Sequence, residues 1–431
     1  MSEAMGIIAA AKAKKGGGGK NVAKNIMINA VRASGAWGGT DTITMGAVTM
    51  HIAPNQRLDR FSHYWTGENA STYPYGLWQW ITDVTNSGVY YNLVNNDGEP
   101  DCIKVGDVAK IADTGSAWVG TEFENTEVWA QIIGIDNYMG FGSVAEGYHI
   151  DWRFVCPWTT PNGINKVDNN NAIYHNTCTF TGDGTTTTFY FQDVGGYIAD
   201  VNSVTVNGSS VSKSNYTIDY ENGYIQFNTA PAADATIVVM NKGSKNPWLT
   251  SDAYAFLNGT HVASPGSTTF STTAAEKSYY DTDPKSPAVG AENYYFSGAV
   301  KTKQLRLGER WSDTELVTDA TDTSYANLGK FWIPTEFEYY GSNIMGGNYY
   351  SINGCNVHYP IFNSVYERLY QTVGDNSLNV WLLAPRVEYT TSWCMLNRRG
   401  YGSSMNTHKP EVKVPVCFRT GTTFTVNPNW G

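Results

Sequence analysis

The sequence predicts a β-rich α+β fold, interrupted by a small antiparallel β-sandwich and preceded by a flexible N-terminal arm. Three observations lead there. The chain of 431 residues is 41% hydrophobic but only 16% charged, and it carries 14 Trp, 28 Tyr and 43 Gly. An average soluble chain is nearer ~25% charged. Aromatic rings bury area at low entropy cost, and Gly and Asn permit tight turns, so this composition suits loop-rich β structure with adaptable polar surfaces. Next, residues 178 to 242 show period-2 alternation punctuated by Asn-Gly turns, the pattern of strands with one face in a core and one face wet. Finally, the sequence on either side mixes short strand-like and helix-like stretches with long irregular ones, which indicates an α+β domain. A chain of this length is expected to hold about two to four domains.

Taken in order, residues 1–36 form a basic arm. "MSEAMGIIAAAKAKKGGGGKNVAKNIMINAVRASG" carries Lys12, Lys14, Lys15, Lys20, Lys24 and Arg32 against a single Glu, and Gly16 to Gly19 make a flexible break. Glu3 ahead of the short apolar run "GIIAAA" does not suit a secretory signal, and no stretch approaches the ~20 apolar residues of a membrane span. The chain is therefore expected to be made in a cytoplasm, with the arm docking on a partner. Residues 37–100, with Trp65, Trp78 and Trp80, fit no clear pattern and are expected to be an arm or a subunit contact. Residues 101–176 contain the strands "VGDVAKI" and "EVWAQIIGID", the second carrying Trp129, Ile132 and Ile133.

Residues 177–244 hold the sandwich. "TTTTFYF" supplies β-branched and aromatic residues. "VNSVTVNGSSV" puts Val204 and Val206 on one face before Asn207-Gly208. "YTIDYENGYIQF" does the same with Tyr216, Ile218 and Tyr220 before Asn222-Gly223, and Ile225 and Phe227 then alternate until "APAAD" turns the chain into "TIVVM". This is the layout of a small immunoglobulin-like β-sandwich. Residues 245–420 continue the surrounding domain. "NPWLTSDAYAFLNG" reads as a helix capped by Ser251 or Asp252 and stopped at Gly259, followed by "GKFWIPTEFEYYGS", a helical "IFNSVYERLYQ", and "NVWLLAPRVEYTTSWCMLNRRGYGSS" with "KPEVKVPVCFR". Residues 421–431 are a C-terminal tail.

The succession "FTGDGTTTTFYF", "VTVNG" and "YTIDYENGYIQFNTAPAADATIVV" resembles a short β-sandwich module that recurs in tail and fibre proteins of tailed bacteriophages. The resemblance covers roughly 65 residues and implies a virion protein. The surrounding elements are Val105-Gly106-Asp107, the Trp129 strand, the helix ending in "FLNG", "WIPTEFEYYGS", "VWLLAP" at Val380 to Pro385 and "VPVCF" at Val414 to Phe418. In that order they resemble a family of uncharacterised domains of phage and gut-bacterial genomes, with a fold related to C-type lectins and the formylglycine-generating enzyme. The resemblance spans residues 101 to 420, with the sandwich inserted between Asn176 and Lys245. It implies a C-type-lectin-like domain and a non-enzymatic structural protein of a tailed-phage virion, made in the host bacterial cytoplasm. The basic arm would attach to other virion proteins, and a homo-oligomer, a trimer above all, is expected. Tail-fibre or receptor-binding duty, head-fibre or capsid decoration, and a glycan-degrading tail spike are the three roles left open.

The formal charge of −10 argues against a nucleic-acid-coating surface, which needs clustered Lys and Arg. Cys102, Cys156, Cys178, Cys355, Cys394 and Cys417 lie far apart and show no C-x-x-C pair, so buried free thiols are expected rather than a zinc site. The enzyme class related to the resembled domain needs a late pair of reactive cysteines, for which only Cys394 and Cys417 are placed, and Cys417 sits in an apolar strand. Glu99-Pro100-Asp101 matches a calcium-lectin tripeptide but reads as a turn, and neither metal nor other cofactor is expected. Glu336 and Glu338 are the adjacent carboxylates a glycosidase would need, and scaffold hydrogen bonding is the alternative. Residues 384 to 408, dense in Arg, Tyr, Trp, Asn and Ser, are the expected contact surface for a host glycan or protein. The candidates are Arg386, Tyr389, Trp393, Arg398, Arg399 and Tyr401, against the alternative that Trp393 is core and the arginines bridge neighbouring loops or subunits.

Overall fold

The computed structural model describes residues 41–430 except 54, 115–117, 119–120, 140–146, 161–162, 165–176, 195–200, 220–222, 242–247, 249–250, 259–286, 306–308, 311–315, 318–325, 343, 346–356, 364, 373–376, 387–391, 408 and 429. Lys12, Lys14, Lys15, Lys20, Lys24, Tyr389 and Cys355 thus lie outside the described residues. The molecule is β-rich, with few helices and several small antiparallel sheets.

The main sheet runs Val300–Lys301, Cys417–Thr420, Ile150–Phe154, Val128–Ile135, Val108–Ala112, and Phe331–Trp332 also pairs with Cys417–Thr420. Its two central strands are buried at every position, so both faces are covered. On one face an aromatic cluster forms. The rings of Trp152 and Phe418 stack at 5.9 Å and 3°, and Trp78, Phe154 and Phe296 approach this pair at 5.3 to 5.4 Å. Each such ring buries on the order of 150–250 Å² and adds offset or edge contacts.

The other face is polar, because Asp151, Arg153, Cys417 and Arg419 alternate with those aromatics. Arg419 sits opposite Asp151 in the register, and its Nε and Nη2 donate to the two carboxylate oxygens at 2.6 and 2.7 Å. Arg153 donates through Nε to Gln131 Oε1 at 2.9 Å and through Nη1 to the Glu367 carbonyl at 2.8 Å. Its guanidinium lies over the rings of Phe362 and Tyr370.

Residues 41–100, the described part of the segment 37–100 expected to be an arm or a subunit contact, contribute to the same core. Ile43, Met45, Ile52, Phe61, Trp78, Trp80 and Ile81 are buried together with the main-sheet residues. Helix Leu77–Ser87 carries Trp78, Ile81, Thr82 and Thr85 at 3–4 residue spacing, which puts them on one inward stripe. It ends at Gly88, whose φ is 62°, where a Cβ would come within 2.6 Å of the Tyr148 ring. Arg60 ties the segment down, donating to Asp101 at 2.8 Å, Asp107 at 2.6 Å and the Cys102 carbonyl at 2.9 Å. Asp101, the last residue of the calcium-lectin tripeptide, is thereby an ion-pair partner, and Pro100–Asp101 pairs as a strand with Leu93–Val94.

Residues 177–241 build two antiparallel sheets. One runs Ser209–Ser210, Val201–Val206, Thr236–Asn241, Thr177–Thr181, and the other Tyr216–Asp219, Tyr224–Phe227, Thr188–Tyr190. Both feed one core, separate from the first, of Cys178, Phe180, Phe189, Phe191, Val201, Val204, Tyr216, Ile225, Phe227, Ile237 and Val239. The run "TFYF" splits as alternation requires, with Phe189 and Phe191 inward and Tyr190 40% exposed. Asp183 organises the preceding turn, its carboxylate accepting from the amides of Thr185 and Thr186 and the Thr186 hydroxyl.

The Asn207-Gly208 hairpin has φ of 49° and 75°, both central residues left-handed as a type I′ turn requires. Gly208→Ala is expected to destabilise this module by about 1–2 kcal/mol, since an L-residue there meets its own carbonyl. A Tm unchanged in differential scanning calorimetry would contradict the turn geometry.

Helix Asp252–Asn258 starts where Ser251 Oγ accepts from the Tyr254 amide at 3.0 Å. The expected helix over 361 to 371 is shorter, a 3₁₀ turn Pro360–Asn363 and a four-residue helix Val365–Arg368. In the tail, the Thr425 amide donates to the Gly298 carbonyl at 2.8 Å and Trp430 Nε1 to the Glu292 carbonyl at 2.8 Å.

Candidate functional site

The stretch expected to contact ligand forms a three-stranded sheet, Val380–Pro385, Ser392–Leu396, Gly402–Asn406. The middle strand is buried throughout and the edge strand half-buried. The hairpin between them places Arg398, Arg399 and Tyr401 at its tip. Tyr401 is 64% exposed and both arginines are exposed.

The backbone beneath these side chains is held by asparagines. Asn397 Oδ1 accepts from the amides of Arg399 at 2.8 Å and Tyr401 at 3.2 Å, and Asn397 N–H donates to the Tyr401 carbonyl at 2.9 Å. Asn379 Oδ1 accepts from the Arg398 amide at 2.8 Å. A loop fixed this way loses little entropy when its side chains are engaged. Arg398 and Arg399 are both exposed, and each carries a planar fork of N–H donors.

The other candidates are placed differently. Trp393 is fully buried, and its Nε1 donates to the Leu382 carbonyl. This corrects the expectation that Trp393 contacts a ligand: its ring packs the core, and its one polar group is used internally. Arg386 is half-buried and lies across the sheet, with its amide donating to the Ser392 carbonyl at 3.0 Å and Nη1 to Ser404 Oγ at 2.9 Å. Asn397 and Asn379 were missed in the sequence. The signal was Asn before Arg-Arg-Gly, a side chain that commonly bonds backbone amides two residues on.

The carboxylates and thiols weighed for catalysis are enclosed. Glu338 closes a capping box on helix Glu336–Tyr340, its carboxylate accepting from the Thr335 amide at 2.8 Å while Thr335 Oγ1 accepts from the Glu338 amide at 3.0 Å. Its other oxygen takes the Lys303 ammonium and the Tyr138 hydroxyl. Lys303 also donates to Tyr359 Oη at 3.1 Å, and Tyr359 Oη to Asp151 at 2.7 Å. The Lys303 ammonium stands 3.6 Å from the centre of the Trp332 ring. Lys303, Glu338, Asp151 and Arg419 thus form one fully buried network of two cations and two anions.

Burial pushes the Asp151 carboxyl up, but Arg419 and its hydrogen bonds, with His149 and Lys303, outweigh that and hold it below the usual carboxylate range. His149, whose Nε2 accepts from the Tyr138 amide at 3.2 Å, is lowered to about 3 by burial and then by the Arg419 charge. Glu336 accepts from the amides of Ile344 and Met345 at 3.0 to 3.1 Å. Cys394 and Cys417 are buried thiols outside any disulfide, and burial raises the Cys417 thiol well above its ordinary value, the setting of an inert thiol. Among the described residues no group of three or more His, Cys, Asp or Glu is placed to hold a metal ion, and no helix is long and apolar enough to cross a membrane.

A second surface was not legible in the sequence: a cleft of about 790 Å³ where residues 65–78, 110–113, 292–295 and Trp430 converge.

The described architecture is a β-rich body with a two-sheet module between its strands. Residues 175–247, which span that module, match the family described as heme-binding protein Shr-like, Hb-interacting domain. No curated protein matches the chain.

Proposed function

We propose that this chain is a non-enzymatic structural protein of a tailed-phage virion. In this reading it projects outward and engages a host-surface glycan or protein through the Arg398, Arg399 and Tyr401 tip, as a tail-fibre or receptor-binding protein. The observation that carries the recognition role is the fixed hairpin, which presents two arginine forks and a phenol on a backbone already ordered. The lectin-like assignment of the main domain and the immunoglobulin-like assignment of the module belong to this reading, as do attachment through the N-terminal arm and a trimeric assembly. Head-fibre or capsid decoration is the alternative placement on the same particle. A glycan-degrading spike is disfavoured because Glu336 and Glu338 have their oxygens occupied by backbone amides, Lys303 and Tyr138.

The family match favours a second reading in which residues 175–247 form a protein-binding module for a haem protein such as haemoglobin. Tyr190 and Tyr224 pair edge to face at 5.4 Å on the outer side of the three-stranded sheet and would offer the contact surface.

Cryo-electron microscopy of purified virions tests the first reading: density for this chain in the tail or baseplate supports it, density on capsid hexamers selects decoration, and absence from the particle rejects it. On host cells, the Arg399→Ala/Tyr401→Ala double variant is expected to lower adhesion of the protein about tenfold or more, the loss of one or two interface anchors. Haemoglobin titration by surface plasmon resonance, with Tyr190→Ala as control, decides the second.

A further inference from the structure

We propose that the cleft between residues 65–78 and 292–295 is a second binding site, built for a neutral oligosaccharide. It uses different residues from the hairpin tip and does not depend on where the chain resides.

The cleft is walled by aromatic rings whose positions are set from behind. Tyr75 stacks on Phe424 at 5.4 Å and meets Tyr295 edge to face at 5.3 Å. Tyr295 in turn packs against Trp430 at 5.2 Å. Trp65 rests on Trp80 at 5.0 Å, and Tyr294 on Trp118 at 4.9 Å. Trp430 is held in place by its indole N–H, which donates to the Glu292 carbonyl. Rings fixed this way keep one face or edge available without paying ordering entropy on binding. Tyr295 keeps 48% of its surface exposed.

The polar groups on the rim select the ligand class. Asp113, Glu292 and Asn293 line the cleft and are exposed, and the lone lysine there, Lys110, is already paired with Asp113 and Glu127. Among the described residues the rim therefore offers acceptors and an amide but no uncommitted cation, which disfavours phosphate, sulfate or nucleic acid. Hydroxyl-rich rings meet the same surface on favourable terms: their C–H faces lie on tyrosine and tryptophan, and their hydroxyls donate to the carboxylates. A methylammonium cage also uses aromatic rings, but a cleft of about 790 Å³ is open to a far larger occupant and falls in the size range of sites for drug-sized ligands.

Saturation-transfer difference NMR of the full chain with chitotetraose, maltotetraose, cellotetraose and mannotetraose tests the site, with choline as the cationic probe. Transfer to at least one tetrasaccharide is expected. Tyr295→Ala should weaken its Kd about tenfold or more, Tyr295→Phe should retain most of the affinity, and Glu292→Gln should weaken it several-fold. Tyr295 is half exposed, so an unchanged far-ultraviolet circular dichroism melt is expected for Tyr295→Ala. No transfer to any of the four saccharides, transfer unaffected by Tyr295→Ala, or transfer to choline alone would overturn the proposal.

Discussion

Lys303→Met is expected to lower the unfolding free energy by about 3–5 kcal/mol, because it strands the Glu338 carboxylate in a site sealed from solvent, with no second cation in contact among the described residues. Lys303 and Glu338 are both fully buried, so solvent cannot take over the lost partner. Adding Glu338→Gln should restore a large part of the loss. The side-chain carbonyl oxygen that this substitution leaves can still accept from the Thr335 amide, preserving the capping box, while the charge that lacked a partner is gone. Urea unfolding of the two single variants and the double variant, read as a double-mutant cycle, measures the coupling. A Lys303→Met loss below about 1 kcal/mol, or a double variant no better than the single, would mean that the ion pair is not what holds these elements together.

Acidification supplies the second large effect. His149 sits at about 3 in the folded chain, against about 6.5 when unfolded. Between those values the unfolded chain binds a proton that the folded chain refuses. Stability attributable to His149 is thus fully present above about pH 6.5 and falls with decreasing pH by up to roughly 4–5 kcal/mol near pH 3. Asp151 acts in a lower window. Its folded value is depressed, so its contribution is present above the unfolded carboxylate value of about 4 and is lost as pH drops below it. His149→Gln should flatten the curve between about pH 6 and 4 and leave the steeper loss below pH 4. A wild-type stability that stays level from pH 7 to 4 would show that His149 takes up its proton without unfolding the site.

Residues 177–241 were legible because each local signal agreed with the global fold. Asn207-Gly208 demanded a left-handed turn, and Val204, Tyr216, Ile225 and Phe227 alternated into one core. The cap at Ser251 could be read for the same reason, as it bonds within three residues. The main sheet was harder. Asp151 and Arg153 alternate with Trp152 and Phe154, which by period alone would mean a wet face, yet both are buried because Arg419 and Gln131 arrive from distant strands. Residues 41–100 lacked periodicity since their core contributions come mainly from a hairpin, one 3₁₀ turn and one helix in succession. Trp393 misled because Trp suits both ligand stacking and cores. The aromatic cleft was invisible because Tyr75, Tyr295 and Trp430 meet only in three dimensions.

The pairing of Cys417–Thr420 with Ile150–Phe154 has a consequence for synthesis. The Asp151 and Arg419 partners are 268 residues apart in sequence, so the ribosome must release the chain through the Cys417–Thr420 strand before the middle of the main sheet can close. The strands of the smaller module all fall within residues 177–241 and can pair while the rest of the chain is still being made. Until residue 420 emerges, Trp152, Phe154 and the unmatched charge of Asp151 stay accessible, and nascent chains crowded on one messenger are then open to chaperone capture or to exchange of that last strand between neighbours.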